Sequence, residues 1–518
     1  MLVGDLLRRH AKLRPEHVAI TFAGRALSYR ALEQRANRLA NALLGLGVRK
    51  GDRVAVLAYN CSEYLELYFA NGKIGAVTTP LNYRLTAPEL EYILTNSEAV
   101  ALVVAEEFVP IIAEIKTLLP NVRHFICIGA RHEGYLEYES WLAAGAAHEP
   151  AATVMEGDLL WQMYTSGTTG RPKGAMVTHR AVLTNVWQIV GDFPLRAGDR
   201  TLIVAPTYHA AAMMKTMSTL AMGGTVVVKK GFDPGEVLRS FAADGVTHAL
   251  LVPAMILALL NTPGLDAADL RTLRWIVYGA SPIPLEVLRK ALEIFKCNFV
   301  QGYGQTEASA VLTMLPAADH LLGGAPERIR RLQSCGREVY GTHVRVVDAE
   351  NRDVRPGEIG EVIARGDQLM AGYWRMPEAT AETLRDGWLH TGDLATVDDE
   401  HYVYIMDRLK DMIVSGGENV YPREIEEVLF AHPAVADAAC IGVPSERWGE
   451  EVKAMVVLRA ERRATEADLL RFCGERLAGF KRPRTVDFIE SLPKNPSGKV
   501  LKRELREPYW RGQTRRVN

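Results

Sequence analysis

Glycines and small hydroxyl residues are concentrated between residues 164 and 176, YTSGTTGRPKGAM, directly after a hydrophobic predicted strand. Glycines adopt positive φ and let successive backbone N–H groups turn toward one anion, and the hydroxyls add further donors. A lysine after a rigid proline adds a positive charge. We therefore predict a polyphosphate-binding loop made of Thr165, Ser166, Gly167, Thr168, Thr169, Gly170 and Lys173.

The spacing of this loop differs from that of the nucleotide-binding P-loop, because G-x-x-x-x-G-K-[ST] cannot be laid on these residues. A flexible surface loop rich in Gly, Ser and Thr is the plain structural alternative. The placement of the lysine after Pro172 favours the phosphate-binding interpretation.

Later stretches suit the other parts of a nucleotide. In GYGQTE, residues 302–307, Thr306 can donate to a phosphate. Glu307 can hold Mg²⁺, which needs few carboxylates when phosphates supply the other ligands. The small residues of GASP, residues 279–282, end a predicted strand and would let a flat base approach the backbone.

Three charged positions complete the candidate set. Asp393 in WLHTGD is expected after a tight turn, where its carboxylate can accept both hydroxyls of a ribose, and Arg408 would supply a second ribose contact. Lys499 ends the turn sequence PKNPSGK near the C-terminus. Each has a plain alternative when taken alone: Asp393 as a turn residue, Glu307 as a helix-start charge and Lys499 as a solvated lysine.

Length and composition limit the class of protein. A chain of 518 residues is too long for one core, and a net charge of −1 argues against a nucleic-acid partner. Six scattered cysteines without metal spacing indicate a reducing compartment. We find no signal peptide and no apolar run of membrane-spanning length, so we expect a cytoplasmic protein, with a peripheral membrane contact left open.

Helix and strand patterns alternate through most of the chain. Residues 28–46, for example, place leucines on one helical face between Ser28 and Gly47. This alternation predicts an α/β fold with parallel, helix-covered sheets. From about residue 341 short strands predict a small β-rich subdomain. We place the domain boundary after Arg408, with a large domain at 1–408 and a small, mobile α+β domain at 409–518.

The motifs together resemble a known group. YTSGTTGRPKG, GYGQTE, TGD, DRLKDMIVSGGENVYPREIE and PKNPSGK are similar, in this order, to those of the adenylate-forming superfamily of acyl-CoA synthetases, peptide-synthetase adenylation domains and luciferases. The resemblance runs from about residue 5 to 507. The form SGGENVYPREIE is typical of bacterial fatty acid or aryl acid CoA ligases.

The resemblance implies two half-reactions: a carboxylate attacks the α-phosphate of MgATP, and a thiol, usually coenzyme A, then displaces AMP. It implies that Lys499 bridges the carboxylate and the α-phosphate, that Thr306 holds the α-phosphate, and that Mg²⁺ lies near Glu307. It assigns Asp393 and Arg408 to the ribose. The adenine would lie against Gly279, Ala280, Ser281, Gln301, Gly302, Tyr303 and Gly304.

The same resemblance implies a moving small domain. Its hinge would be Lys410, and its rotation would bring Gly416, Gly417 and a turn at residues 418–421, which begins with Glu418, to the active site as the tunnel for the acceptor. His209 would lie near the substrate carboxylate. The acyl pocket would be formed by Tyr208, His209, Ala210, Met213 and Ala308, for which plain helix packing is the alternative.

The acid and its acceptor stay open at this stage. The small or apolar pocket residues favour a medium or long fatty acid, or an aryl or cyclic acid, and we see no arginine there to pair a second carboxylate. An amide-forming ligase that uses an amino acid or amine, a stand-alone enzyme that loads a carrier protein, and a non-catalytic binding protein are the alternatives. We expect a monomer or a homodimer.

Overall fold

The computed structural model describes residues 1–165, 171–494 and 499–511. Two large, mostly parallel sheets carry helices on their faces, as the alternating pattern predicts. The first part of the chain contains α1 (Gly4–Leu13), β1 (Val18–Phe22), β2 (Arg25–Ser28), α2 (Tyr29–Gly45), β3 (Arg53–Leu57), α3 (Ser62–Ile74), β4 (Val77–Pro80), α4 (Ala87–Asn96), β5 (Ala99–Ala105), α5 (Val109–Ile115), β6 (His124–Ile128), β7 (Leu136–Glu137) and α6 (Tyr138–Ala144).

The second part begins with the strand before the candidate phosphate loop. It contains β8 (Leu159–Thr165), β9 (Lys173–Thr178), α7 (His179–Asp192), β10 (Arg200–Ile203), α8 (Ala210–Ala221), β11 (Thr225–Val228), α9 (Pro234–Ala243), β12 (His248–Leu251), α10 (Pro253–Leu260), β13 (Trp275–Gly279), α11 (Leu285–Phe295), β14 (Asn298–Tyr303), β15 (Thr313–Leu315), α12 (Pro326–Arg330) and β16 (Arg337–Glu338).

After β16 the alternation of helices and strands gives way to short strands, as expected. A small antiparallel sheet is formed by β17 (His343–Val347), β18 (Gly360–Arg365), β20 (Leu384–Arg385), β21 (Trp388–Val397) and β22 (Val403–Arg408). Between β18 and β20 the chain also forms β19 (Gly372–Tyr373), which joins the edge of a large sheet, and the helix α13 (Pro377–Thr383). The remaining elements are β23 (Ile413–Ser415), β24 (Glu418–Val420), α14 (Pro422–Phe430), β25 (Val435–Ser445), β26 (Gly449–Leu458), α15 (Glu466–Gly474), β27 (Thr485–Phe488) and α16 (Lys502–Trp510).

The sheet orders explain where a site can form. One sheet has the order β16-β15-β14-β13-β12-β10-β11-β1-β2 and the other β19-β9-β8-β4-β3-β5-β6-β7. Both contribute apolar residues to one large core, and β3, β5 and β6 also bury residues in a second cluster with α4 and α5. Asn60, just beyond β3, donates to Ala205 O at 3.0 Å and accepts from Thr207 N at 2.8 Å, just beyond β10. These bonds bring the carboxyl ends of the two sheets together, which is the edge where α/β proteins bind ligands.

Helix α3 shows why this core needs internal ion pairs, because every residue of α3 is buried. Its Glu66 is fully buried, and burial raises the pKa of that carboxyl. Arg35 of α2 lies 2.6 Å from it, and the Tyr138 hydroxyl donates to it at 2.7 Å. This pair fixes α2 and α6 on α3. Among the helices that the structure describes, none has the length and apolar character needed to span a bilayer.

The Arg35–Glu66 pair generates a stability prediction. We expect Arg35→Met to leave Glu66 buried without its cation and to lower the free energy of unfolding by about 3 to 5 kcal/mol. Urea denaturation followed by circular dichroism measures this difference.

Arg30→Met is the matched control, because Arg30 lies on the same helix and pairs with Glu16 at 3.0 Å, with both side chains exposed. An exposed pair contributes about 0 to 1 kcal/mol. Equal losses in the two variants would contradict the role given to the buried pair.

Candidate active site

A cleft of about 260 Å³ lies between the large domain and the last hundred residues of the chain. Residues from the ends of β13, β14 and β22 line one wall, and residues from α14 and the start of α16 line the other. The sequence predicts many of these residues. The predicted nucleotide and lysine positions that line it are Gly279, Ala280, Ser281, Gln301, Gly302, Tyr303, Gly304, Asp393, Arg408 and Lys499.

The floor of the cleft has no room for larger side chains. Gly279 pairs with Gly302 across β13 and β14, and a Cβ on Gly279 would lie 2.2 Å from the Gly302 oxygen. A Cβ on Gly304 would lie 2.2 Å from the Ala310 oxygen. The backbone itself therefore forms this surface, which suits the close approach of a flat ring.

Asp393 and Arg408 face each other across β21 and β22. Arg408 Nε lies 3.1 Å from Asp393 Oδ1, and the Tyr303 hydroxyl donates to Asp393 Oδ2 at 2.8 Å. The Asp393 carboxylate raises the pKa of the Arg408 guanidinium. The carboxylate is thus held from two sides, in an orientation set by the protein.

The expectation that Asp393 follows a tight turn is wrong, because Asp393 lies inside β21. Gly392 has φ 70°, and the pairing of β18 with β21 shifts between Glu361 and Ile363 at this point. The glycine therefore makes an irregularity within a strand rather than a turn between two elements. On the other side, Met406 of β22 is bulged, since Leu394 pairs with Asp407 and Ala395 with Ile405.

Lys499 is half-buried in the cleft. Burial, and then the nearby Arg408 guanidinium, lower the pKa of Lys499 to about 7, while Asp393 and Asp411 act in the opposite direction. A lysine in this state gains its proton back when an anion binds beside it. The residues before it, 495–498, lie outside the described part of the chain.

Thr165 and Lys173 pair across β8 and β9, as the last residue of the first strand and the first residue of the second. The predicted loop residues Ser166, Gly167, Thr168, Thr169 and Gly170 lie outside the described residues. The Lys173 ammonium is 5.1 Å from the centre of the Tyr373 ring.

Glu307 lies beside this hairpin and is buried. Its Oε1 accepts from Thr165 Oγ1 at 3.2 Å and from the Tyr373 hydroxyl at 2.8 Å, which leaves Oε2 without a hydrogen-bond partner among the described residues. The described residues contain no group of three His, Cys, Asp or Glu that could hold a metal by themselves. One open carboxylate oxygen fits a Mg²⁺ that takes most of its ligands from phosphates and water. Thr306 begins the short 3₁₀ turn Thr306–Ala308 that carries Glu307.

The predicted acyl residues cluster at the start of α8, with His209 in the position preceding the helix. Burial lowers the pKa of His209 to about 4, so the imidazole is neutral at pH 7. His209 Nε2 and the Tyr208 hydroxyl are buried without hydrogen-bond partners among the described residues. Ala210, Met213 and Ala308 are buried, whereas Ala211 is exposed.

The predicted hinge and acceptor residues do not line the cleft. Lys410 lies in the 3₁₀ turn Leu409–Asp411, where burial lowers the pKa of its ammonium. Gly416 and Gly417 have positive φ at the turn between β23 and β24. Glu418 begins β24, so the expectation of a turn at 418–421 is wrong, since the turn is completed by the two glycines.

Other cleft residues were missed by the sequence argument, although several belong to the quoted motifs. Arg423 and Glu426 occur in YPREIE, and Asp407 precedes the predicted ribose contact. The occurrence of acidic and basic residues together in one motif was the sequence signal that could have identified them. The missed charged residues are Asp407, Asp411, Arg423, Glu426, Glu427, Asp437, Lys494 and Lys502.

Comparison with known families now identifies the chain. Residues 7–374 match the family model described as AMP-binding enzyme, and residues 424–499 match that of the AMP-binding enzyme C-terminal domain. The protein belongs to the AMP-binding enzyme family. The expected membership in the adenylate-forming superfamily, in its acyl-CoA synthetase branch, is confirmed. The division at 408 and 409 stays a prediction.

Individual relatives span the whole chain. A feruloyl-CoA synthase from Amycolatopsis sp is 41% identical over 97% of this chain and 98% of its own. A fatty acid–[acyl-carrier-protein] ligase, ScoC, from Streptomyces coeruleorubidus is 39% identical over 98% of this chain and 96% of its own. The crystal structure of the anthranilate CoA ligase AuaEII with anthranoyl-AMP has a TM-score of 0.90 and 30% identity, over 98% of this chain and 97% of that one.

The state of Lys499 generates a pH prediction. Its pKa of about 7 means that the free enzyme carries this charge below pH 7 and loses it as the pH rises. We expect kcat/KM for ATP in acyl-adenylate formation to fall about tenfold per pH unit above that value, and kcat to fall less because bound phosphate restores the proton. Acid-dependent pyrophosphate release between pH 6 and 9 measures both.

Lys499→Arg is the control, because a guanidinium keeps its charge across this range. We expect it to be slower but to lack the alkaline loss. A wild-type profile that is flat across the range would contradict the assignment.

Proposed function

We propose that the protein is an AMP-forming acid–CoA ligase that activates a fatty, aryl or cyclic carboxylic acid. The convergence of Lys499 with Asp393 and Arg408 in one cleft carries this proposal, because it places a cation beside a carboxylate that suits the hydroxyls of a ribose. ATP and coenzyme A are the substrates that this chemistry requires, with Mg²⁺ neutralising phosphate charge when bound. A cytoplasmic location and a monomeric or homodimeric state stay predictions.

The first half-reaction must bring two anions together. A carboxylate oxygen of the acid attacks the α-phosphorus of ATP, an O–P bond forms, and the bond to the β-phosphate breaks. Lys499 would lie between the two anions and offset their repulsion, and Thr306 would hold the α-phosphate. Asp393 and Arg408 would hold the ribose. Lys173 and the loop at residues 165–170 would hold the phosphates that leave.

The second half-reaction needs a thiol at the acyl carbon. Sulfur attacks that carbon, a C–S bond forms, and the C–O bond to AMP breaks, so no covalent enzyme intermediate is required. Rotation about Lys410 would remove Lys499 and bring Gly416, Gly417 and Glu418 to the site as the acceptor tunnel.

The pocket chemistry supports an apolar acid. At the predicted acyl pocket, Ala210, Met213 and Ala308 would supply apolar side chains, and methionine adapts to ligands of different shape. Among the described residues, neutral His209 and the Tyr208 hydroxyl have polar atoms without hydrogen-bond partners, which suit the carboxyl end of the acid or a phenolic group. The relatives above are named for ferulate, fatty acids and anthranilate, which fall in the same range of acids.

A carrier protein is the second candidate acceptor, because a relative with 39% identity is a fatty acid–[acyl-carrier-protein] ligase. The thiol of a phosphopantetheine arm is chemically the same nucleophile as that of coenzyme A. The two acceptors therefore use the same site and differ only in what surrounds the thiol.

An acceptor panel tests the proposed function. The enzyme is incubated with MgATP and a set of fatty, cinnamic and benzoic acids, and pyrophosphate and thioester are followed with coenzyme A, with a phosphopantetheinylated carrier protein, with amines or with neither. We expect at least one acid whose turnover depends on coenzyme A.

Pyrophosphate release that responds to the carrier and not to coenzyme A would select the second candidate. Release that responds only to amines would overturn both proposals, as would the absence of release with every acid.

Lys499 generates a separate prediction about the two steps. We expect Lys499→Ala to reduce acyl-adenylate formation by about 10²- to 10³-fold, the usual loss when a preorganised charge-stabilising group is removed. Thioester formation from supplied acyl-adenylate should change by less than about threefold, because Lys499 acts only in the adenylation arrangement.

Lys481→Ala serves as control for a lysine of the small domain, paired with Glu424 at 2.8 Å. It should leave both steps unchanged. An equal loss of both steps in Lys499→Ala would contradict the division of labour.

A further inference from the structure

Asp407 lies at the end of β22, three residues before Lys410, and is buried. Its Oδ1 accepts from the Arg408 backbone N–H at 2.7 Å. Its Oδ2 accepts from the Arg423 backbone N–H at 3.0 Å and lies 3.7 Å from the Lys502 ammonium. One carboxylate of the large domain therefore contacts two elements that follow the predicted hinge.

The contact with Arg423 is a helix cap supplied from another domain. Arg423 is the second residue of α14, whose first-turn N–H groups have no partner within the helix. A carboxylate at this end is stabilised by the N–H groups and by the helix dipole. The Arg423 guanidinium also donates to the Ile405 carbonyl of β22. The start of α14 is thus fastened to β22 at two points.

Lys502 provides the third point. Its ammonium lies 2.8 Å from Glu426 of α14 as well as near Asp407. Burial alone lowers the pKa of this lysine, but the Asp407 and Glu426 carboxylates outweigh that effect and raise it. Lys502 therefore stays charged, and it begins α16 only three residues after Lys499.

The charged contacts around the hinge fall into two sets. The Lys502–Glu426 pair and the Arg506–Asp411 pair, at 2.9 Å, have both members after Lys410. They survive a rotation about that residue. The contacts of β22 with Arg423 and Lys502 join residues on opposite sides of Lys410, so the same rotation must break them.

We propose that Asp407, with Arg423 and Lys502, forms a clasp that holds the small domain in the adenylation arrangement and sets the balance between the two half-reactions. This inference rests on the proposed function. Asp407 is a positioning residue: it acts on Lys499 through Lys502 and α14. The clasp speeds the first half-reaction by keeping Lys499 in the cleft, and it slows the second because it must open first.

Asp407→Asn tests the clasp with little change of shape. Asparagine keeps an oxygen for the Arg408 N–H but removes the charge that holds Lys502 and the cap of α14. We expect the rate constant of acyl-adenylate formation to fall about tenfold, because the loss of one charge-assisted contact lowers the population of the adenylation arrangement. The KM for ATP should stay within about twofold, and thioester formation from supplied acyl-adenylate should equal or exceed the wild-type rate.

Lys453→Met is the matched control. Lys453 pairs with Asp487 at 2.7 Å, entirely within the small domain, and its side chain is 12% exposed, as is that of Lys502. Both half-reactions should stay at wild-type rates in this variant. Equal losses in the two half-reactions of Asp407→Asn, or wild-type rates in both, would overturn the clasp.

A second measurement does not depend on catalysis. Limited trypsin digestion of the ligand-free protein should cut faster after Arg408 or Lys410 in Asp407→Asn than in wild type or Lys453→Met. Unchanged cleavage at these bonds would overturn the clasp even if no tested acid were a substrate. Faster cleavage without acid turnover would support the clasp and count against the proposed function alone.

Discussion

The structure depends on holding two cations, Lys499 and Arg408, in one partly buried cleft. Burial, and then the like charge of Arg408, lower the pKa of Lys499 to about 7. Asp393 and Asp411 relieve only part of this cost. A phosphate or carboxylate bound beside Lys499 would offset the rest of this cost.

The two-domain design follows from this charge problem. The parallel sheets place rigid small-residue backbone at their carboxyl ends, where Gly279 and Gly304 leave no space for side chains. A rigid wall can bind a nucleotide but cannot withdraw a cation after it has been used. In the proposed function the cation therefore belongs to the small domain, which would withdraw it by rotating about the hinge predicted at Lys410.

The sequence predicted the alternation of helices and strands and most of the residues on the large-domain wall of the cleft. This was possible because glycines, hydroxyl residues and charged residues occur in ordered motifs next to strand patterns. It was wrong about the tight turn before Asp393, since a Gly-Asp pair is typical of turns and only the strand pairing shows Gly392 within a ladder. It did not predict the contacts of Asp407 with Arg423 and Lys502. Such contacts join residues far apart in sequence, and their charges alone do not select partners.

The register of β22 on β21 limits the changes in chain length that are possible near the cleft. Met406 is bulged, and the next two residues oppose Leu394 and Asp393 in turn. Deleting one residue from the connection at 398–402, or removing the bulge, would move every later residue by one position. Arg408 would then no longer lie opposite Asp393, and Asp407 would no longer contact the start of α14. Homologues of this protein should therefore vary in the composition of that connection far more freely than in its length.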